Sequence, residues 1–236
     1  MRRRNAPQAT PHPDLPPQGR WRLKSCRLIA AALSLTLVYG CEALRPLVTP
    51  APQPNFYSLA AAGNSAPVPA GPLAAATGPT LIVGPPHAAA GFDSKHMIYL
   101  RQADQLEFFA HNEWIDTPAR MLAPLIVTAV ESSGAFRAVV QTPSPAIGEM
   151  RLDTEVLRLQ HEFIGAPSRV RFTLRAYLVE SLTRRVIASR EFDETVDSAS
   201  EDPHGGVVAA NRAVQTVLEK LSAFCAEAAR GARMAK

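Results

Sequence analysis

From Arg169 to Leu178 the chain reads RVRFTLRAYL, and Val170, Phe172, Leu174, Ala176 and Leu178 alternate with Arg169, Arg171, Thr173 and Arg175. A period of two puts the apolar set on one face of a strand and the charged set on the other. Such alternation belongs to an antiparallel meander with one buried and one wet face. The pattern predicts a strand over 169–181, flanked by strands over 151–163 and 186–195. Within 151–163 the apolar phase shifts between Val156 and Leu157, which predicts a bulge. Shorter strands are predicted over 56–59, over 80–83 (stopped by Gly84, Pro85 and Pro86), and over 136–140. Two more, 97–101 and 106–109, lie close enough to form a hairpin around 102–105.

The period changes to that of a helix in two places. Thr117-Pro118 reads as an N-cap with proline at the first helical position, opening a helix toward Ser133 with Gly134 as its C-terminal stop. Met121, Leu122, Leu125, Ala129 and Val130 share a face, and Pro124 must kink this helix or mark its true start. A second helix is predicted over about 206–229, with Val207, Val214, Val217, Leu218, Leu221, Cys225 and Ala228 on its buried side. Strands, helix, strands, helix is the order of a single α/β domain, a mixed and largely antiparallel sheet with two main helices on one face.

The N-terminal segment follows different rules. Arg20, Arg22, Lys24 and Arg27 precede an apolar run, Leu28 to Val38, of 11 residues. That is short of the roughly 20 needed to span a bilayer and fits the core of a secretory signal. It ends at Tyr39-Gly40-Cys41. A small residue before a cysteine is the cleavage layout of a bacterial lipoprotein signal, although Tyr39 departs from the usual small residue at its position. Cys41 is therefore the expected lipidation site, the alternatives being a plain cleaved signal or an uncleaved anchor. Residues 42–55, EALRPLVTPAPQPN, hold four prolines and no apolar period, so they read as an extended tether. The expected organisation is a leader over 1–40, a lipidated tether over 41–55, the domain over 56–230 and a tail over 231–236.

This division changes the charge picture. The chain carries 25 Lys/Arg against 21 Asp/Glu, a net +4. Seven of those bases and one acid lie in residues 1–40, which leaves 18 bases against 20 acids and a net −2 beyond the leader. The basic balance belongs to the leader and argues for no nucleic-acid partner. Cys26 would leave with the leader and Cys41 would be acylated, so Cys225 has no internal disulfide partner and reads as a small buried hydrophobe.

Candidate chemistry is sparse. His87, His96, His111, His161 and His204 are spread without HExxH or CxxC spacing, so no metal site is expected, and no cofactor is implied. No GxSxG, GxxxxGK[ST] or GxGxxG occurs. The distinctive segment is 84–125. Gly91-Phe92-Asp93-Ser94 forms a turn before a strand, and Tyr99, Phe108, Phe109 and Trp114 fall within 16 residues of a chain only 6% aromatic. These rings either pack the hairpin onto the helix or form an exposed patch that docks a protein. On the second reading Asp93, Ser94, Tyr99, Arg101 and Trp114 are the candidate partner-binding residues.

Taken in order, Cys41, Phe56-Tyr57-Ser58-Leu59, Val83-Gly84-Pro85, Gly91-Phe92-Asp93-Ser94, and Met97, Tyr99 and Arg101 resemble the auxiliary lipoproteins of ABC-type, Mce-associated lipid transport systems, including the paraquat-inducible type. Trp114, Pro118, Met121-Leu122, Ser133-Gly134-Ala135-Phe136, the three long strands and the last helix extend the resemblance. It implies a non-enzymatic, periplasm-facing envelope protein that works with an Mce-domain carrier and a permease–ATPase complex, the ATP being hydrolysed by a partner. It leaves homo-oligomerisation open. Glu42 is not the aspartate that retains lipoproteins in the inner membrane, so outer-membrane attachment is expected. The alternatives are a module that holds a lipid or other hydrophobic ligand between helix and sheet, and an assembly chaperone for an outer-membrane protein.

Overall fold

The computed structural model describes residues 53–60 and 78–234. The expected signal, Cys41 and most of the tether lie outside them. The strands are β1 (Asn55–Tyr57), β2 (Thr80–Val83), β3 (His87–Ala88), β4 (His96–Leu100), β5 (Glu107–Trp114), β6 (Ala138–Gln141), β7 (Met150–Glu162), β8 (Arg169–Glu180) and β9 (Val186–Asp197). Two helices follow the fifth and ninth strands: α1 (Pro118–Glu131) and α2 (Pro203–Met234). The fold is α/β, with a large, mostly antiparallel open sheet.

β7 is the strand around which the sheet is organised. One edge pairs antiparallel with β8 along nearly its whole length, and β8 pairs in turn with β9. The other edge is shared by three short parallel partners: β2 beside Met150–Leu152, β3 beside Glu155 and Val156, and β4 beside Gln160–Glu162. Beyond them, β6 adds to β2, while β5 and then β1 add to β4. The predicted bulge is present: the β7–β8 register slips between Val156 and Arg158. This slip keeps Val156 and Leu159 both on the buried face despite their odd spacing.

The alternation in β8 is realised as read, with Val170, Phe172, Leu174, Ala176 and Leu178 buried. Against this face lie Val214, Val217, Leu221 and Cys225 of α2, and Leu122, Ile126 and Val130 of α1 join the same core from beside α2. Burying a large aliphatic or aromatic side chain contributes roughly 1.5–3 kcal/mol. This continuous face is therefore the main source of the domain's stability. Pro124 neither ends nor starts α1; it sits inside the helix on the exposed side. Gly134 follows the helix at φ +61, the left-handed conformation expected of a C-terminal stop. α2 begins earlier and runs further than its apolar period alone suggested, through Met234 and into the segment read as a tail.

Candidate functional site

The β4–β5 hairpin and the turn before it hold all of the expected contact residues outside the tether. Gly91 adopts φ +91, which reverses the chain ahead of β4. Asp93 is exposed beside it, and Ser94 Oγ accepts a hydrogen bond from His96 N–H at 3.3 Å. Arg101 stands exposed at the far end of β4, with its guanidinium 5.2 Å from the centre of the Tyr99 ring.

Tyr99 and Trp114 are placed differently. Tyr99 is buried, its ring 4.5 Å from Phe109 and 5.9 Å from Phe163, and its hydroxyl donates to Glu107 Oε2 at 2.9 Å. That bond, with burial and the Glu107 charge, raises the Tyr99 pKa against the opposing pull of Arg101. Trp114 is 4% exposed and belongs to the core. It pairs with Tyr57 of β1, and its backbone N–H donates to the Lys95 carbonyl at 2.8 Å. Both rings therefore pack the hairpin onto the body and present no surface to a partner. The reason is strand parity. Met97 and Tyr99 face inward along β4, and the register break opposite Met97 lets both Phe109 and Trp114 of β5 turn the same way.

What the hairpin does expose is a different set. Phe108 is exposed and stacks on His96 with centroids 4.4 Å apart. Phe56 on β1 pairs with Glu113, and Glu113 with His96, so Phe56 and His96 lie on the sheet face opposite Trp114. Ile115, one residue after Trp114, is exposed as well. Density of aromatics in the sequence located the region but not which rings reach solvent.

Other chemistry-bearing groups resolve into structural roles. His161 Nε2 lies 2.8 Å from Ser168 Oγ, a pairing that on a surface would suggest an activated nucleophile. Ser168 is 0% exposed, and the cavity that His161 lines holds about 20 Å³, room for one water. No substrate reaches that hydroxyl. The pair instead fastens the β7–β8 turn beneath the start of α2. There Glu201 Oε1 accepts from Ser168 N–H at 2.9 Å, and Asp202 Oδ1 caps the helix by accepting from Gly205 N–H at 2.7 Å. Gly206 passes so close that a Cβ would sit 2.6 Å from His161 Nδ1. Burial lowers the His161 pKa, with Glu201 and Asp202 opposing. Cys225 is buried and its thiol is pushed up to about 12, which removes it as a nucleophile. Among the described residues no cluster of three or more His, Cys, Asp or Glu is placed to hold a metal.

The roomier space lies between the helices rather than between helix and sheet. A groove of about 580 Å³ runs along α1 and α2, with Leu125, Ala129, Val214, Leu218 and Ala226 as its apolar lining and Arg230 at its edge. Ser222 Oγ donates to the Ala129 carbonyl at 2.7 Å and ties the two helices together.

Comparison with known proteins gives these features a context. The model of a family described as ABC-type transport auxiliary lipoprotein component matches residues 57–222. Comparison with curated proteins finds no match. The crystal structure of protein XCC0632 from Xanthomonas campestris superposes with a TM-score of 0.65 at 24% identity, covering 76% of this chain and 99% of that one. A second crystal structure, of an uncharacterized protein, gives a TM-score of 0.57 at 12% identity over 73% of this chain and 99% of the other. At these identities the two structures share the fold.

Proposed function

The chain belongs to the family of ABC-type transport auxiliary lipoprotein components, and from that premise we propose a lipid-anchored, non-enzymatic adaptor facing the periplasm. In this reading it links an Mce-type lipid carrier, with its permease–ATPase complex, to the outer membrane. The observation that carries the reading is the extent of the family match, which begins in β1 and ends well along α2. Cys41 supplies the anchor, and residues 42–55 hold the domain off the membrane. Among the described residues no helix is long and apolar enough to cross a membrane, so attachment through an acylated cysteine supplies what the described helices do not. Glu42 directs the protein to the outer membrane.

Asp93, Ser94 and Arg101, joined by Phe108, are the positions proposed to touch the carrier, while Tyr99 and Trp114 act from beneath by fixing the hairpin. A second reading, a module that itself holds a hydrophobic ligand, is favoured by the groove between α1 and α2, whose apolar lining and volume suit an acyl chain. Intact mass and membrane fractionation of the wild type beside Cys41→Ser test the anchor. A triacylated chain beginning at Cys41, found in the outer membrane and lost from it in the variant, is the expected result. An unmodified, soluble wild-type product would overturn it. Extraction of bound lipid from the Cys41→Ser protein, lost on Ala129→Trp in the groove, would move the second reading ahead.

A further inference from the structure

At the end of the sheet where β7 starts and β8 stops, two loops carry the most exposed large aliphatic side chains described. Ile147 and Leu182 are each 93% exposed. The loops are joined, because Ser181 N–H donates to the Glu149 carbonyl at 2.9 Å. The backbone of each tip is fixed by its turn. In the β8–β9 turn Glu180 N–H donates to the Arg185 carbonyl and Arg184 N–H to the Glu180 carbonyl, both at 2.9 Å. Thr183 Oγ1 donates to Glu180 Oε2 at 2.6 Å, and Arg184 takes the left-handed conformation, φ +57, that closes the turn. Leu182 is held at its apex. Ile147 precedes Gly148, which is buried so tightly that a Cβ would meet Ile82 and the Thr80 carbonyl at 2.8 Å. The chain is pinned immediately after Ile147, so its side chain projects outward too.

Charge at this end is mixed, with the Glu180 carboxylate in the same turn as two arginines. Glu149 is held by Arg137, and Asp153 by Arg151. Arg184 and Arg185, which follow Leu182 in the turn, are exposed and make no ion pair among the described residues. Two protruding aliphatic tips with unpaired guanidinium groups beside them form a convex feature, not a pocket. A rigid protein partner would need matching hollows. A soft interface needs none: aliphatic side chains enter the boundary between headgroups and acyl chains, while arginines meet lipid phosphates.

We propose that the Ile147–Leu182 tip, with Arg184 and Arg185, is a peripheral contact for an anionic phospholipid bilayer. It is a second point of membrane attachment that does not depend on acylation of Cys41. The contact fixes which end of the sheet faces lipid, something a flexible tether cannot do. Each arginine near an anionic surface contributes about a fivefold gain in association, and the two tips add their apolar burial.

The test places Leu182→Trp in the full-length chain reconstituted in vesicles of phosphatidylglycerol and phosphatidylcholine with brominated acyl chains. Its emission is read against the parent chain, which carries Trp114 and, where the leader is retained, Trp21. Position 182 is solvent-exposed, so the substitution leaves the fold intact. The expected result is strong quenching of the added emission in anionic vesicles. Neutralising both residues, Arg184→Gln with Arg185→Gln, should weaken that contact roughly 25-fold. Emission that stays water-like in anionic vesicles would overturn the proposal, as would quenching unchanged by removing the arginines. A blue shift of the added emission that grows with chain concentration and is the same in unbrominated vesicles would overturn the proposal and assign the tip to self-association instead. The result stands whether or not Cys41 is acylated, because N-terminal attachment does not set the depth of residue 182.

Discussion

The buried His161 gives the domain a pH dependence that can be assigned to one ring. Its Nε2 is taken up by Ser168 Oγ, while Nδ1 is buried without a partner and has Gly206 against it. Protonation would place a charge among Phe109 and Phe163, with centroids 6.5 and 4.1 Å away, and would leave the Nδ1–H without an acceptor. The carboxylates of Glu201 and Asp202, ahead of α2, offset only part of that cost, so burial leaves the folded pKa below the ordinary value of 6.5. The sign follows from linkage: the unfolded chain binds the proton more readily. The contribution is fully present above about pH 6.5 and is lost as pH falls toward the folded pKa. Each pH unit in that window removes up to about 1.4 kcal/mol. Carboxylates with lowered pKa values, Glu149, Asp193 and Asp202, are lost only as pH falls below their ordinary values of 4.5 and 3.8. Between pH 7.5 and 5.5 the histidine is therefore the group to watch. Urea unfolding followed by Trp114 emission should show the wild type losing about 1 kcal/mol over that interval. His161→Gln should be less stable at pH 7.5 but flat across the interval. An equal slope in both proteins would refute the assignment.

Other consequences can be checked with the same preparations. Gly206→Ala drives a methyl into the His161 ring and should cost about 1–3 kcal/mol in urea unfolding. Trp114→Ala should cost about 3–5 kcal/mol while carrier cross-linking per folded molecule is unchanged, because the ring faces the core. Arg171→Ala breaks a bidentate bridge to Asp193 that is more than a third exposed on both sides, and its cost should stay below about 1 kcal/mol. Cys225, with its thiol pushed up to about 12, should resist alkylation at pH 8 in the folded protein. It should react fully in urea, as read by peptide mass.

The parts of this fold that were legible in the sequence are those governed by short periods. The alternation of β8, the phase slip in β7 and the apolar stripe of α2 each follow from neighbours a few residues apart. Pairings between distant segments left no such mark. β3 is two residues long and exists because β7 offers an edge, and the parallel pairing of β2 and β4 with β7 depends on chain reversals that no local pattern encodes. The same limit decided the aromatic cluster. Tyr99 and Trp114 look like Phe108 in composition; Tyr99 faces inward by the parity of β4, and the register break between β4 and β5 turns Trp114 the same way while Phe108 stays outside, stacked on His96. In the sequence His161 is one of several scattered histidines. Its setting beneath Gly206 comes from segments some 45 residues apart. Ile147 and Leu182 are ordinary residues until the joined loops bring them to the same end of the sheet.

The adaptor reading is tested most directly in cells, by photo-cross-linking from single positions on the hairpin of the full-length chain. A cross-linker at Phe108 or Arg101 should capture an Mce-domain carrier protein, identified by mass spectrometry, and the same group at buried Trp114 should capture none. A carrier-free result at every exposed hairpin position, with the protein present at its normal level in the membrane fraction, would contradict the adaptor role.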